Sequence, residues 1–128
     1  MDTSTMINIF IALVVILFFY KQFAPVKGVR TLHSKEFEQE RMSTKDAIVI
    51  DVREPHEYKA GHMPGAKNLP LSQLSSRMNE LPKDKPVFVY CQSGMRSKRA
   101  ALIFKKNGIP SIVNLKGGIM AWHSSLRK

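Results

Sequence analysis

Three short runs, AIVIDV at residues 47–52, VFVY at 87–90 and SIVNL at 111–115, constrain the fold more than any other feature of this chain. Each is apolar and rich in β-branched residues, the pattern of a strand covered on both faces. The segments between them favour helices. VRTLHSKEFEQER predicts a short strand and then a helix starting near Ser34, with the Ser34 hydroxyl as its N-cap. LSQLSSRMNEL, 71–81, places Leu74, Met78 and Leu81 at helical spacing, with Pro82 as a stop. SKRAALIFKKNG, 97–108, predicts a helix that turns Ala100, Ala101, Ile103 and Phe104 inward, carries Lys105 and Lys106 at its negative end and is capped by Gly108. Buried strands separated by helices imply an α/β domain around a mostly parallel sheet.

The N-terminus follows a different rule. From Thr3 to Tyr20 no residue is charged, and at about 1.5 Å per residue such a helix is about 27 Å long, enough to cross a bilayer. A cleaved signal peptide competes with an anchor, but no Lys or Arg precedes the run and Ala24 is followed by Pro25, a poor cleavage site. A buried core helix competes as well; all-round hydrophobicity and terminal position argue against it. Residues 1–27 are therefore read as one transmembrane helix and its linker, and 28–128 as the domain. Only Asp2 lies before the segment, whereas Lys21, Lys27, Arg30 and Lys35 follow it, which places the domain on the cytoplasmic side of a single-pass cell-membrane protein. About one hundred residues remain for that domain, room for a single core.

The balance of 20 basic against 10 acidic residues gives a net charge of +10, which suits a small anion or an acidic lipid surface. The basic residues are scattered and form no zinc-finger, RRM or KH pattern, so no nucleic acid is expected. The histidines at 33, 56, 62 and 123 lack ligand spacing, so no metal is expected either. A basic domain tethered beside an anionic leaflet would favour a membrane-bound partner or a lipid-proximal small-molecule source.

Cys91 is the one cysteine. A free cysteine is most often a small buried hydrophobe, but this one sits where a predicted parallel strand ends, the side of such a sheet where ligands bind. CQSGMR turns from strand into helix, Gly94 gives the turn its freedom, and successive amides there can converge into an anion cradle. Arg96, Lys98 and Arg99 add positive charge, which favours a thiolate.

DVREPHEY, GHMPGAKNLP, VYCQSGMRS and LKGGIMAW, in this order between about Val29 and Trp122, resemble the single-domain rhodaneses, a sulfurtransferase family. The resemblance implies a three-layer domain around a central parallel sheet. It implies Cys91 as the catalytic nucleophile, with Gln92, Ser93, Gly94, Met95, Arg96 and Ser97 forming the substrate-binding loop. The activity it implies moves a sulfane sulfur from a small anionic donor such as thiosulfate, through a Cys91 persulfide, to cyanide or a thiol. No organic cofactor is implied. With no second cysteine the acceptor is external, a protein acceptor included.

Two other readings stand beside this one: a tethered module that docks a partner and turns over little, and a dedicated persulfide carrier. Cysteine phosphatases also hold a thiolate among amides, and they resemble His, Cys, five residues, Arg. Here Tyr90 precedes the cysteine and Arg96 follows after four residues, a smaller loop that fits one sulfur better than a tetrahedral phosphate. The residues leave open whether Arg96 faces the donor or pairs with Asp51 or Glu57, and whether Gln92 binds a donor sulfonate or faces solvent. Asp51, Arg53 and Glu57 are expected to support the loop, His62 to pack in a turn, Gly117 and Gly118 to let the chain pass close to the loop, and Trp122 to anchor the core.

Overall fold

The computed structural model describes residues 2–23, 27–122 and 125–127. Ala24 and Pro25, central to the cleavage-site and linker readings, and His123 lie outside them. The elements run α1 (Thr3–Phe23), β1 (Val29–Leu32), α2 (Ser34–Ser43), β2 (Ile48–Asp51), α3 (Pro55–Ala60), β3 (Lys67–Asn68), β4 (Val87–Tyr90), α4 (Met95–Lys106) and β5 (Ile112–Leu115), with short 3-10 turns at Leu71–Gln73, Met78–Glu80 and Gly118–Ala121.

All five strands pair in parallel, in the order β1-β5-β4-β2-β3. Alternate residues of the central strands point to opposite faces, and each face builds its own core. On one side Ile50, Val87, Val89 and Ile112 pack with Ala100, Ala101 and Phe104 of α4 and with Leu74, Met78 and Leu81. On the other, Val49, Phe88, Tyr90, Val113 and Leu115 pack with Phe37 of α2, Met63 and Trp122. Layers on both faces are why β4 and β5 are buried at every position. The Phe37 ring meets Phe88 and Trp122 edge-on, with centroids 5.4 and 6.4 Å apart.

Three expectations are corrected. The 71–81 segment forms two 3-10 turns rather than one helix, although Leu74, Met78 and Leu81 all reach the core; the turns at Leu71–Gln73 and Met78–Glu80 satisfy the burial without continuous i to i−4 bonding. Ser34 is the first residue of α2, the N-cap is His33, and no side chain caps it. The last helix starts at Met95, two residues earlier than its apolar pattern; Ile103 is only partly buried, while Ala100, Ala101 and Phe104 point inward. Gly108 follows this helix at φ +89°.

Among the described residues, Thr3–Lys21 is long and apolar enough to cross a membrane by length and composition, and none of that span is buried.

Candidate active site

Parallel strands bring their carboxyl ends to one edge of the sheet, and the site is assembled there from the segments that follow β2, β4 and β5. β4 ends at Tyr90, and the chain turns at once through Cys91 into α4. The turn is possible because Gly94 takes φ +101° as the N-cap of α4, a conformation costly for any residue with a Cβ. It brings the Gly94 amide to donate to Cys91 Sγ at 3.0 Å. The first helical bond anchored on Gly94 runs from Lys98 N–H at 3.3 Å, so the amides of Met95, Arg96 and Ser97 have no partner within the helix. The sulfur therefore lies at the positive end of a 12-residue helix. Cys91 is fully buried.

The segment after β5 closes the back of this turn. Gly117 and Gly118 have φ +76° and +63°, and Ile119 N–H and Met120 N–H donate to the carbonyls of Cys91 and Gln92 at 2.8 and 3.2 Å. A Cβ on Gly118 would collide with Gln92 O and lie 2.6 Å from Cys91 O. Backbone presses on backbone here, so only glycine fits.

Arg96 turns back from the loop. Its two terminal nitrogens donate to the two Glu57 oxygens at 2.7 and 2.9 Å, a fork-to-fork pair, and the guanidinium holds the Glu57 carboxyl down to about 2. Glu57 is presented by α3, a six-residue helix with Pro55 in its first turn and a capping box between Glu54 and Glu57. Of the two carboxylates open to Arg96, the structure selects Glu57; Asp51 is taken by Arg53. Arg53 Nη2 donates to Asp51 Oδ2 at 2.7 Å and to Gly61 O at 2.7 Å, and Arg53 N–H donates to Asp51 Oδ1 at 2.9 Å. Both residues of this pair are buried, and it ties the end of β2 to the end of α3. The guanidinium also lies 5.7 Å from the centroid of the Tyr90 ring. Burial pushes the Tyr90 phenol far above its usual range, so it stays neutral and accepts from Met63 N–H at 3.0 Å.

The remaining loop residues separate clearly. Gln92 is half-buried with Oε1 3.5 Å from Arg53 Nη1, so its side chain turns toward the Arg53 knot rather than out to solvent. Ser93 and Met95 are exposed, and Ser97 is buried with its hydroxyl donating to Gly94 O at 3.2 Å. His62 stacks on Tyr58 at 3.7 Å between centroids, with Nδ1 3.0 Å from Tyr58 O. Trp122 is buried among the side chains of the α2 face. Among the described residues no group of three or more His, Cys, Asp or Glu is placed to hold a metal ion. Sequence reasoning missed α3 as an element, and with it the support that decides where Arg96 points; Pro55 with Glu54 and Glu57 three apart was the available signal.

Residues 34–125 match the family model described as Rhodanese-like domain. The chain belongs to the rhodanese-like family. A 99-residue stretch of this rhodanese-like chain, 77% of its length, is 48% identical to Bacillus subtilis (strain 168) YqhL, named as an uncharacterized protein, and covers 76% of it. Over 94 residues it is 38% identical to a protein of Allochromatium vinosum named Sulfurtransferase, covering 73% of this chain and 88% of that one. The crystal structure of a rhodanese-like domain protein from Staphylococcus aureus superposes with a TM-score of 0.70 at 26% identity, covering 77% of this chain and 96% of that chain.

Proposed function

We propose that this rhodanese-like domain is a membrane-anchored sulfurtransferase in which Cys91 carries the sulfur. The observation that carries the reading is the seat of Cys91 Sγ, at the N-terminal end of α4 with the Gly94 amide aimed at it. The name of the Allochromatium relative supports sulfur transfer as the activity class.

In the first step the Cys91 thiolate attacks the outer sulfur of thiosulfate or a related donor. A new sulfur–sulfur bond forms, the donor's own sulfur–sulfur bond breaks, and sulfite leaves with the electron pair. The added sulfur sits about 2.0 Å beyond Sγ, within the loop, where the positive end of α4 and the amides of Met95, Arg96 and Ser97 favour an anionic terminal sulfur. In the second step cyanide or an external thiolate attacks that outer sulfur, and the bond to Sγ breaks to return the thiolate. Gly94, Gln92, Ser93, Met95 and Ser97 shape the loop. Arg96 braces it through Glu57 rather than gripping the donor, and Asp51 with Arg53 holds the platform beneath. On this reading the hydrophobic Thr3–Lys21 segment is the anchor in the cell membrane, and the basic residues after it support a cytoplasmic position for residues 28–128.

The test is the intact mass of the full chain in mild detergent after exposure to thiosulfate, beside Cys91→Ser. A gain of one sulfur by the parent alone, with thiocyanate released on adding cyanide, is the expected result. A reduced, reactive Cys91 that gains no sulfur would refute thiosulfate as donor and return the domain to a binding role or to another donor.

A further inference from the structure

A parallel sheet has two chemically distinct ends, and this chain uses both. The carboxyl end holds Cys91. At the opposite end lie the segments that lead into four of the five strands: Lys27 before β1, Lys45 and Asp46 before β2, Lys83, Asp84 and Lys85 before β4, and Lys105 and Lys106 closing α4 ahead of β5. Six lysines thus share one end with two aspartates. Lys27, Lys45, Lys83 and Lys106 are exposed, and Lys85 and Lys105 are half-exposed. None of the six belongs to an ion pair among the described residues. At the other end Arg53 and Arg96 are each matched to a carboxylate, and exposed cations outside ion pairs, Arg99 and Lys116 among them, lie there too.

The same end receives the chain from α1. Gly28 packs against Lys105, close enough that a Cβ on Gly28 would collide with Lys105 Nζ, and Gly28 O accepts from Ile112 N–H at 3.3 Å at the start of β5. Phe23 ends α1 and Val29 opens β1, and at no more than about 3.5 Å per residue the intervening backbone reaches about 20 Å at most. The lysine-bearing end is therefore held next to wherever α1 leaves the bilayer.

We infer that this end of the domain is a docking surface for anionic lipid headgroups, and that docking turns the Cys91 loop away from the membrane. The inference rests on the reading of α1 as an anchor. Its occupant is an anionic bilayer because the surface is lysine-rich, its lysines form no ion pair among the described residues, and on the anchor reading it is covalently tethered beside one. Cys91 follows Val87 by four residues of extended chain, about 13 Å along the sheet. That exceeds a Debye length of about 8 Å at physiological salt. An anionic sulfur donor would be repelled at the lipid surface, and this orientation keeps the loop open to the aqueous side. A lipid-embedded donor or acceptor, which net charge alone favours, is then disfavoured by the sheet's direction.

The test uses the full chain in nanodiscs of phosphatidylcholine with or without phosphatidylglycerol, in a Cys91→Ser background labelled at Pro110→Cys or Met95→Cys, with a paramagnetic headgroup lipid. Pro110 is exposed between α4 and β5, at the lysine end, and Met95 is exposed beside Cys91. In anionic discs the Pro110 label should be strongly relaxed and the Met95 label little affected. Neutral discs, or Lys45→Glu with Lys83→Glu and Lys106→Glu, should bring the two labels together, at roughly fivefold in docking per lysine near the surface. A relaxed Met95 label, or a pattern indifferent to lipid charge and to the lysine reversals, overturns the inference while leaving the anchor intact. Failure of the chain to remain with either disc overturns the anchor and this inference with it.

Discussion

Replacing Gly118 with alanine should damage the site far more than the same change at Gly108, and the comparison isolates one contact. Both glycines hold positive φ, +63° and +89°, so both alanine variants carry about 1–2 kcal/mol of left-handed strain. At Gly108 the new Cβ meets nothing within 4 Å, and the cost ends there. At Gly118 it lands on the carbonyls of Cys91 and Gln92. Backbone must shift to admit it, an overpacking cost of about 1–3 kcal/mol. The shift also pulls on the bonds from Ile119 and Met120 to those carbonyls, at about 1 kcal/mol each if they fail. The two variants should therefore differ by about 2–4 kcal/mol, read as a lower urea midpoint at unchanged slope, or as a melting temperature lower by about 10–20 °C. Gly118→Ala should also lose sulfur uptake at temperatures where it is still folded, because the displaced atoms are those of the Cys91 loop, whereas Gly108→Ala should retain it. Equal stability of the two variants, or normal sulfur uptake by folded Gly118→Ala, would refute the reasoning.

Asp51→Asn strands the buried Arg53 guanidinium and should cost about 3–5 kcal/mol, measured by urea unfolding; Asp51→Asn with Arg53→Met should cost clearly less than the single change, and a strictly additive pair would contradict a paired role. The Glu57 carboxyl lies lowered, at about 2, so its pairing with Arg96 contributes stability above its ordinary value near 4.5 and loses it as pH falls toward 2. With Arg96 about one-third exposed, that contribution is discounted to about 1–2 kcal/mol, and Glu57→Gln should flatten this part of the stability profile; an unchanged acid limb in that variant would remove the brace.

The centre of the sheet was legible because burial on both faces writes itself into sequence as apolar runs, and the strands at 48–51, 87–90 and 112–115 fall inside them. β3 has two residues, too few to carry a period. α3 has no buried residue, so no hydrophobic stripe announces it, only its capping chemistry. The 71–81 segment shows the opposite failure. A spacing of three or four residues between apolar side chains describes which of them reach the core, and 3-10 turns meet that requirement as well as a helix does. At the site, the Cys91 turn and the close approach of Gly118 were written locally in glycine positions. The choice of Glu57 over Asp51 as the partner of Arg96 was not, because it depends on where α3 stands against α4 and on Arg53 having claimed Asp51 first.

The strand order has a consequence for synthesis. β1, the first strand after α1, has β5 as its sole neighbour in the sheet, with Val29 opposite Ile112. At roughly 5–20 residues per second, the ribosome needs about 4–16 s after making β1 to complete that partner. Throughout this interval β1 has its hydrogen-bonding edges open, and on the proposed anchoring of α1 it waits beside the membrane, where mispairing would act on a domain already tethered.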